Sequence, residues 1–183
     1  MDNTLENRPW WGYLEHDLQE LVKQSLLLIK IVEGWRRNPS AGLSTELSRT
    51  SSGQEFHDYS FVVFPAAKAY EGFLKKLFYD LELISEEQYR GRRFRVGKAL
   101  NPELPMRLRK TYGVYYKLIE YCAGDINLAD NLWDTWRQAR NVLFHWFPNE
   151  KNAISFEEAK QKFDMILNAL DRATKECKID RAR

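Results

Sequence analysis

Residues 155–170 read SFEEAKQKFDMILNAL, and this stretch decides the fold class. Ser155 and Glu158 have the spacing of a capping box, in which each side chain takes up an amide that a helix start leaves unpaired. Phe156, Ala159, Phe163, Ile166, Leu167 and Leu170 then recur every three or four residues, the period of one α-helical face. The same period recurs toward the N-terminus. Leu14, Leu18, Leu21, Val22, Ser25, Leu28, Ile29 and Val32 predict a first helix running to about Trp35, stopped by Asn38-Pro39. A second is predicted from Asp58 to about Leu83, with Phe61, Phe64, Lys68, Glu71, Leu74, Leu77 and Phe78 along one side. Pro65 is expected to kink this helix or to mark a fresh start.

Ser85 and Gln88 form another capping-box pair, opening a short helix. A further helix is predicted from Met106 to Cys122, closed by Gly124. Asn127 is placed to cap the next, which runs through Leu132, Trp136, Ala139 and Leu143 to about Trp146, ahead of Pro148. No segment alternates as a strand does. The expectation is an all-α bundle of four to five helices, one domain over 1–183, with its core at about 12–177. Residues 38–56, rich in Ser, Thr and Gly, read as a long mobile loop after the first helix.

A chain of 183 residues can bury a full core without metal or disulfide. Its two cysteines, Cys122 and Cys177, have no CxxC spacing, so neither a zinc site nor a disulfide framework is expected, and a reducing cytoplasm fits. The start shows no signal-peptide pattern. The strongest apolar run, Leu26 to Val32, is interrupted by Lys30 and is far too short for a bilayer. The net charge is only +2, but from Ser85 to Lys117 nine Lys or Arg face three Glu, a local +6 against −4 elsewhere. Such a basic region suits a phosphate-bearing partner better than a membrane. Arg90, Arg92, Arg93, Arg95 and Lys98, interleaved with Tyr89 and Phe94, are the candidate contacts to a nucleic-acid backbone; a solvated link is the plainer alternative. Trp133 and Trp136 follow the apolar face and read as core or dimer contacts rather than base platforms.

The chemistry lies in Arg140-Asn141-Val142-Leu143-Phe144-His145. An imidazole, which ordinarily titrates near neutrality, can take or give a proton, and a guanidinium can hold a phosphate and its transition-state charge. Five helical residues turn about 140° and rise about 7.5 Å, so Arg140 and His145 do not share a face in a regular helix. Asn141 and His145 do. Either Arg140 reaches around on its long stem or the helix loosens near its end. Taken alone, the residues favour the plainer reading of a surface Arg in a salt bridge and a helix-end His capping carbonyls.

This segment resembles the RNxxxH form of the R-x(4–6)-H motif of the HEPN superfamily (higher eukaryotes and prokaryotes nucleotide-binding domains). There the motif sits late in a helical bundle, as it does here. The segment from Phe56 through Pro65-Ala66-Ala67-Lys68-Ala69-Tyr70-Glu71-Gly72 to Lys76 is similar to the corresponding helix of the ribonuclease LS-type toxins. The resemblance implies a metal-independent, cofactor-free endoribonuclease acting on RNA, of toxin or antiphage-defence type, with the motifs of two subunits paired across a homodimer. It places Glu71 beside Arg140 and His145 in the catalytic set, with Asn141 and Asp58 in support. An ordinary solvated or salt-bridged helix carboxylate is the alternative for Glu71, and a helix N-cap for Asp58. The N-terminal domains of those toxins have no counterpart here, so an antitoxin or regulatory partner stays open. In another HEPN group a tyrosine two residues beyond the histidine is adenylylated; here that position is Phe147, which has no hydroxyl. A non-catalytic RNA- or nucleotide-binding module, or an interaction bundle, is the competing expectation.

Overall fold

A computed structural model describes residues 5–37, 56–121, 126–146, 148 and 152–177. The long loop expected at 38–56 lies almost wholly outside the described residues, as do the Gly124 cap and Phe147. The described residues are all-helical and contain no strand. Four long elements carry the bundle: α1 (His16–Arg37), α2 (Ser60–Asp80), α7 (Ile126–Trp136) with its continuation, and α8 (Phe156–Glu176). Between them run the short helices α3 (Glu86–Arg90), α4 (Val96–Ala99), α5 (Met106–Tyr112) and α6 (Val114–Tyr121). Among the described residues no helix is long and apolar enough to cross a membrane.

Helix α2 is the centre of the packing. It lies against α1 and α8, while α7 packs on α8. Its residues Val62, Val63, Ala66, Ala67, Ala69, Tyr70, Phe73, Leu74, Leu77 and Phe78 are buried. Each large side chain fully buried here is worth roughly 1.5–3 kcal/mol over leaving it in water. The apolar face is therefore wider than the side drawn from the sequence. Phe64, Lys68, Glu71 and Lys75 form the stripe of α2 that stays half-buried or exposed, and that stripe positions the candidate site. Burial pushes the Tyr70 hydroxyl well above the ordinary tyrosine range, and it donates to the Leu132 carbonyl at 3.0 Å.

Pro65 lies inside α2, not at a fresh start. Proline removes one helical donor and crowds the preceding turn. The Ala66 amide next to it donates at 2.9 Å to the hydroxyl of Ser25, a fully buried residue of α1. The polar residue on the apolar face of α1 thus serves a backbone amide of its neighbour. At its far end α2 closes three residues before the expected Leu83. Leu83 N–H bonds to Phe78 O at 2.8 Å and Glu82 N–H to Tyr79 O at 2.9 Å, the two bonds of a Schellman turn. Glu82 occupies its left-handed position, φ 56°.

Both capping boxes form: Ser85 with Gln88 opens α3, and Ser155 with Glu158 opens α8. The single helix expected from Met106 to Cys122 is instead broken at Gly113, whose ψ of 73° leaves the helical region. A Cβ at Gly113 would stand 2.6 Å from the Arg109 carbonyl oxygen, so the α5–α6 corner is tight enough to require glycine. Asn127 falls within the first turn of α7 rather than ahead of it.

Candidate active site

The last turns of α7 do not stay α-helical. Arg137–Asn141 form a π-helical turn, with Val142 N–H bonded to Arg137 O, and Val142–Phe144 tighten into a 3₁₀ turn. His145 then turns extended, at φ −113° and ψ 136°. The helix thus ends at Phe144, before the expected Trp146, and it loosens at the motif itself. Because His145 has left the helix, the shared i, i+4 face expected for Asn141 and His145 is not kept. Asn141, half-buried, closes the π turn.

Arg140 faces Glu71 on α2. Its Nε donates to Glu71 Oε2 at 2.9 Å, and Nη2 lies 2.9 Å from the same oxygen. Both side chains are about one-third exposed, at 32%. The guanidinium also lies 5.8 Å from the Trp136 ring centroid. That ring in turn stacks on Trp133 and covers Gly97, where a Cβ would fall 2.0 Å from the indole. A guanidinium offers five donors in a rigid fork, and Glu71 engages one edge of it.

Four residues beyond Arg140, Phe144 packs edge-on against Phe64, with ring centroids 5.2 Å apart. Glu71 and Phe64 are seven residues apart on one stripe of α2, about 10 Å of helix rise. The π and 3₁₀ turns therefore run antiparallel to α2, with Arg140 docked at one level and Phe144 at another. Lys68 lies between these levels on the same stripe, and among the described residues no carboxylate is within ion-pair distance of it.

His145 lines a cleft of about 1310 Å³ shared with Phe56, His57, Asp58, Phe64 and Trp146. Arg140 and Glu71 do not line it. Within one chain the structure brings Arg140 to Glu71 and His145 to Asp58's cleft, not all four to one point. The His145 backbone is anchored by Asn152, whose Nδ2 donates to the His145 carbonyl at 2.6 Å. The Asp58 carboxylate is occupied by structure: Oδ1 accepts from Ser60 N–H at 3.0 Å and from Ile154 N–H at 3.2 Å, and Oδ2 from the Ser60 hydroxyl at 2.7 Å. It closes the start of α2 and ties it to the segment entering α8.

The basic link lies beyond the other end of the pair. Lys75, one turn after Glu71, donates to the Gly91 carbonyl at 3.0 Å. Arg92, Arg93 and Lys98 are exposed. Arg90 pairs with Glu86 at 2.8 Å, Arg95 donates to the Arg92 carbonyl at 2.7 Å, and Lys98 lies 3.9 Å over the Tyr112 ring. None of these lines the His145 cleft. Trp133 and Trp136 pack against the core. Among the described residues no three His, Cys, Asp or Glu side chains gather as metal donors.

The chain matches no family model, no curated protein and no solved structure. What the site does is therefore argued from its own residues. His57 and Lys68 were not singled out as site residues in the sequence. The signal for Lys68 was its place one helical turn from both Phe64 and Glu71; for His57 it was being one of only three histidines.

Proposed function

We propose that this chain is a metal-independent endoribonuclease of the HEPN type, cytoplasmic and homodimeric, cleaving single-stranded RNA as a toxin or antiphage-defence effector. One observation carries the reading: Arg140 sits on a π turn and is held by Glu71, five residues ahead of a histidine at the wall of a large cleft. The ribose 2′-hydroxyl attacks the adjacent phosphorus, the 5′-oxygen leaves, and a 2′,3′-cyclic phosphate remains. His145 moves the proton, and Arg140 holds the non-bridging oxygens as charge builds on them. Glu71 orients the guanidinium. Arg140 does not line the His145 cleft, so this reading requires a second subunit to bring a guanidinium and an imidazole to one phosphate.

Expression in a bacterial host tests this. Growth arrest by the native chain, relieved by Arg140→Ala and by His145→Ala, is the expected result. Unimpeded growth at high levels of folded native protein contradicts it.

A second reading has its own support. Glu71 neutralises Arg140 within the monomer, as it would in a non-catalytic module that binds RNA through Lys68, Arg92 and Arg93. In that case RNA is retained intact, and His145→Ala changes nothing.

A further inference from the structure

Three of the six most exposed large apolar side chains of the described residues meet in one place: Phe56 and Phe64, each 49% exposed, and Trp146, 80% exposed, line the His145 cleft. Scattered exposed apolar residues are ordinary, but a concave group of aromatic faces signals a ligand. The Phe rings are fixed from behind. Phe64 is braced edge-on by Phe144 at 5.2 Å, and Phe56 by Phe61 at 5.2 Å and Tyr59 at 5.7 Å. Rings already held in place lose little freedom when a ligand stacks on them.

The fixed charges around the cleft are largely spent within the protein. Arg36 pairs with Glu157 at 3.3 Å, and Asp58 is taken by the Ser60 and Ile154 amides. Recognition here therefore rests on ring faces rather than on a strong field. At about 1310 Å³ the cleft exceeds the roughly 300–1,000 Å³ of small-molecule pockets.

From this we infer that the cleft is a nucleobase-stacking subsite for an unpaired RNA strand, with Phe64 and Trp146 as its platforms. The inference rests on the nuclease reading for its choice of RNA and names where the bases sit. A duplex keeps its base faces stacked on one another, so the cleft selects single strands. Lys68 and the Arg140–Glu71 level follow along α2, which sets the direction in which the backbone leaves.

The test uses the full chain and a fluorescein-labelled, single-stranded oligonucleotide of 2′-O-methyl ribonucleotides, which lacks the attacking hydroxyl and so reports binding without chemistry. Phe64→Ala and Trp146→Ala should each weaken binding about tenfold or more, the size of one lost base–aromatic stack. Trp146→Phe should restore most of it. Leu27→Ala, exposed on α1 outside the cleft, should match the native chain. The same sequence as a duplex should bind more weakly. Unchanged affinity in both alanine variants, or no binding by the native chain, overturns the inference. So does a dimer that Trp146→Ala splits without changing oligonucleotide affinity, because the cleft is then a contact between copies. Loss of binding in the variants with no RNA cleavage by the native chain leaves the subsite standing and removes the nuclease. Cleavage with unaltered binding does the reverse.

Discussion

Arg140 and Glu71, 69 residues apart in the chain, meet at 2.9 Å through two nitrogens of one guanidinium and a single carboxylate oxygen. The pair joins the π turn that ends α7 to the half-buried stripe of α2. A partly exposed ion pair contributes little to stability, about 0–1 kcal/mol. Its value lies in fixing where the guanidinium points.

Glu71→Gln should therefore leave the unfolding midpoint close to that of the native chain and lower kcat for RNA cleavage by about tenfold or more, as small misplacements of a positioned group do. KM should stay within about twofold, the pattern expected of a carboxylate that acts through Arg140. Steady-state kinetics alongside urea unfolding separate the two effects. Native kcat in Glu71→Gln would remove the positioning role.

Ser25→Ala should destabilise the fold by about 0.5–1.5 kcal/mol, the net worth of one buried hydrogen bond. The donor is the Ala66 amide, beside Pro65 inside α2. Urea unfolding should show a lower midpoint at unchanged slope. A midpoint equal to the native value would mean that the amide finds another acceptor.

Much of the architecture was legible before any coordinates. Both capping boxes form where Ser85 and Ser155 announce them, because that signal is local: four residues contain donor and acceptor alike. The long elements α1, α2 and α8 follow the three-to-four apolar period because burial imposes it. What was not legible depends on distant partners. That Pro65 would stay inside α2, with the next amide, Ala66, bonded to Ser25 41 residues earlier, is not a local signal. The break at Gly113 and the π turn at Arg137–Asn141 arise from how the corner and the helix end pack, which no short-range spacing encodes. Of the candidate site, Glu71 was expected to face Arg140, and the ion pair they form fits both that expectation and the plainer one of a salt-bridged helix carboxylate. The separation of His145 into a cleft with His57 was not expected, since the predicted helix carried it past the point where the chain turns extended.

Glu82 offers a test of the backbone independent of function. It holds φ 56° at the Schellman position that closes α2. A non-glycine residue there is disfavoured by about 1–2 kcal/mol, of which glycine's greater freedom when unfolded returns about half. Glu82→Gly should thus raise stability by about 0.5–1 kcal/mol, read as a higher thermal midpoint. A lower midpoint would show that the Glu82 side chain contributes more than its backbone costs.

The most direct measurement is cleavage of a single-stranded RNA by the purified native chain in excess EDTA, with the product ends identified. Products bearing 2′,3′-cyclic phosphate, with Arg140→Ala and His145→Ala both inert though folded, are the predicted result. Intact RNA after long incubation with folded native protein, or cleavage that survives in His145→Ala, would contradict it.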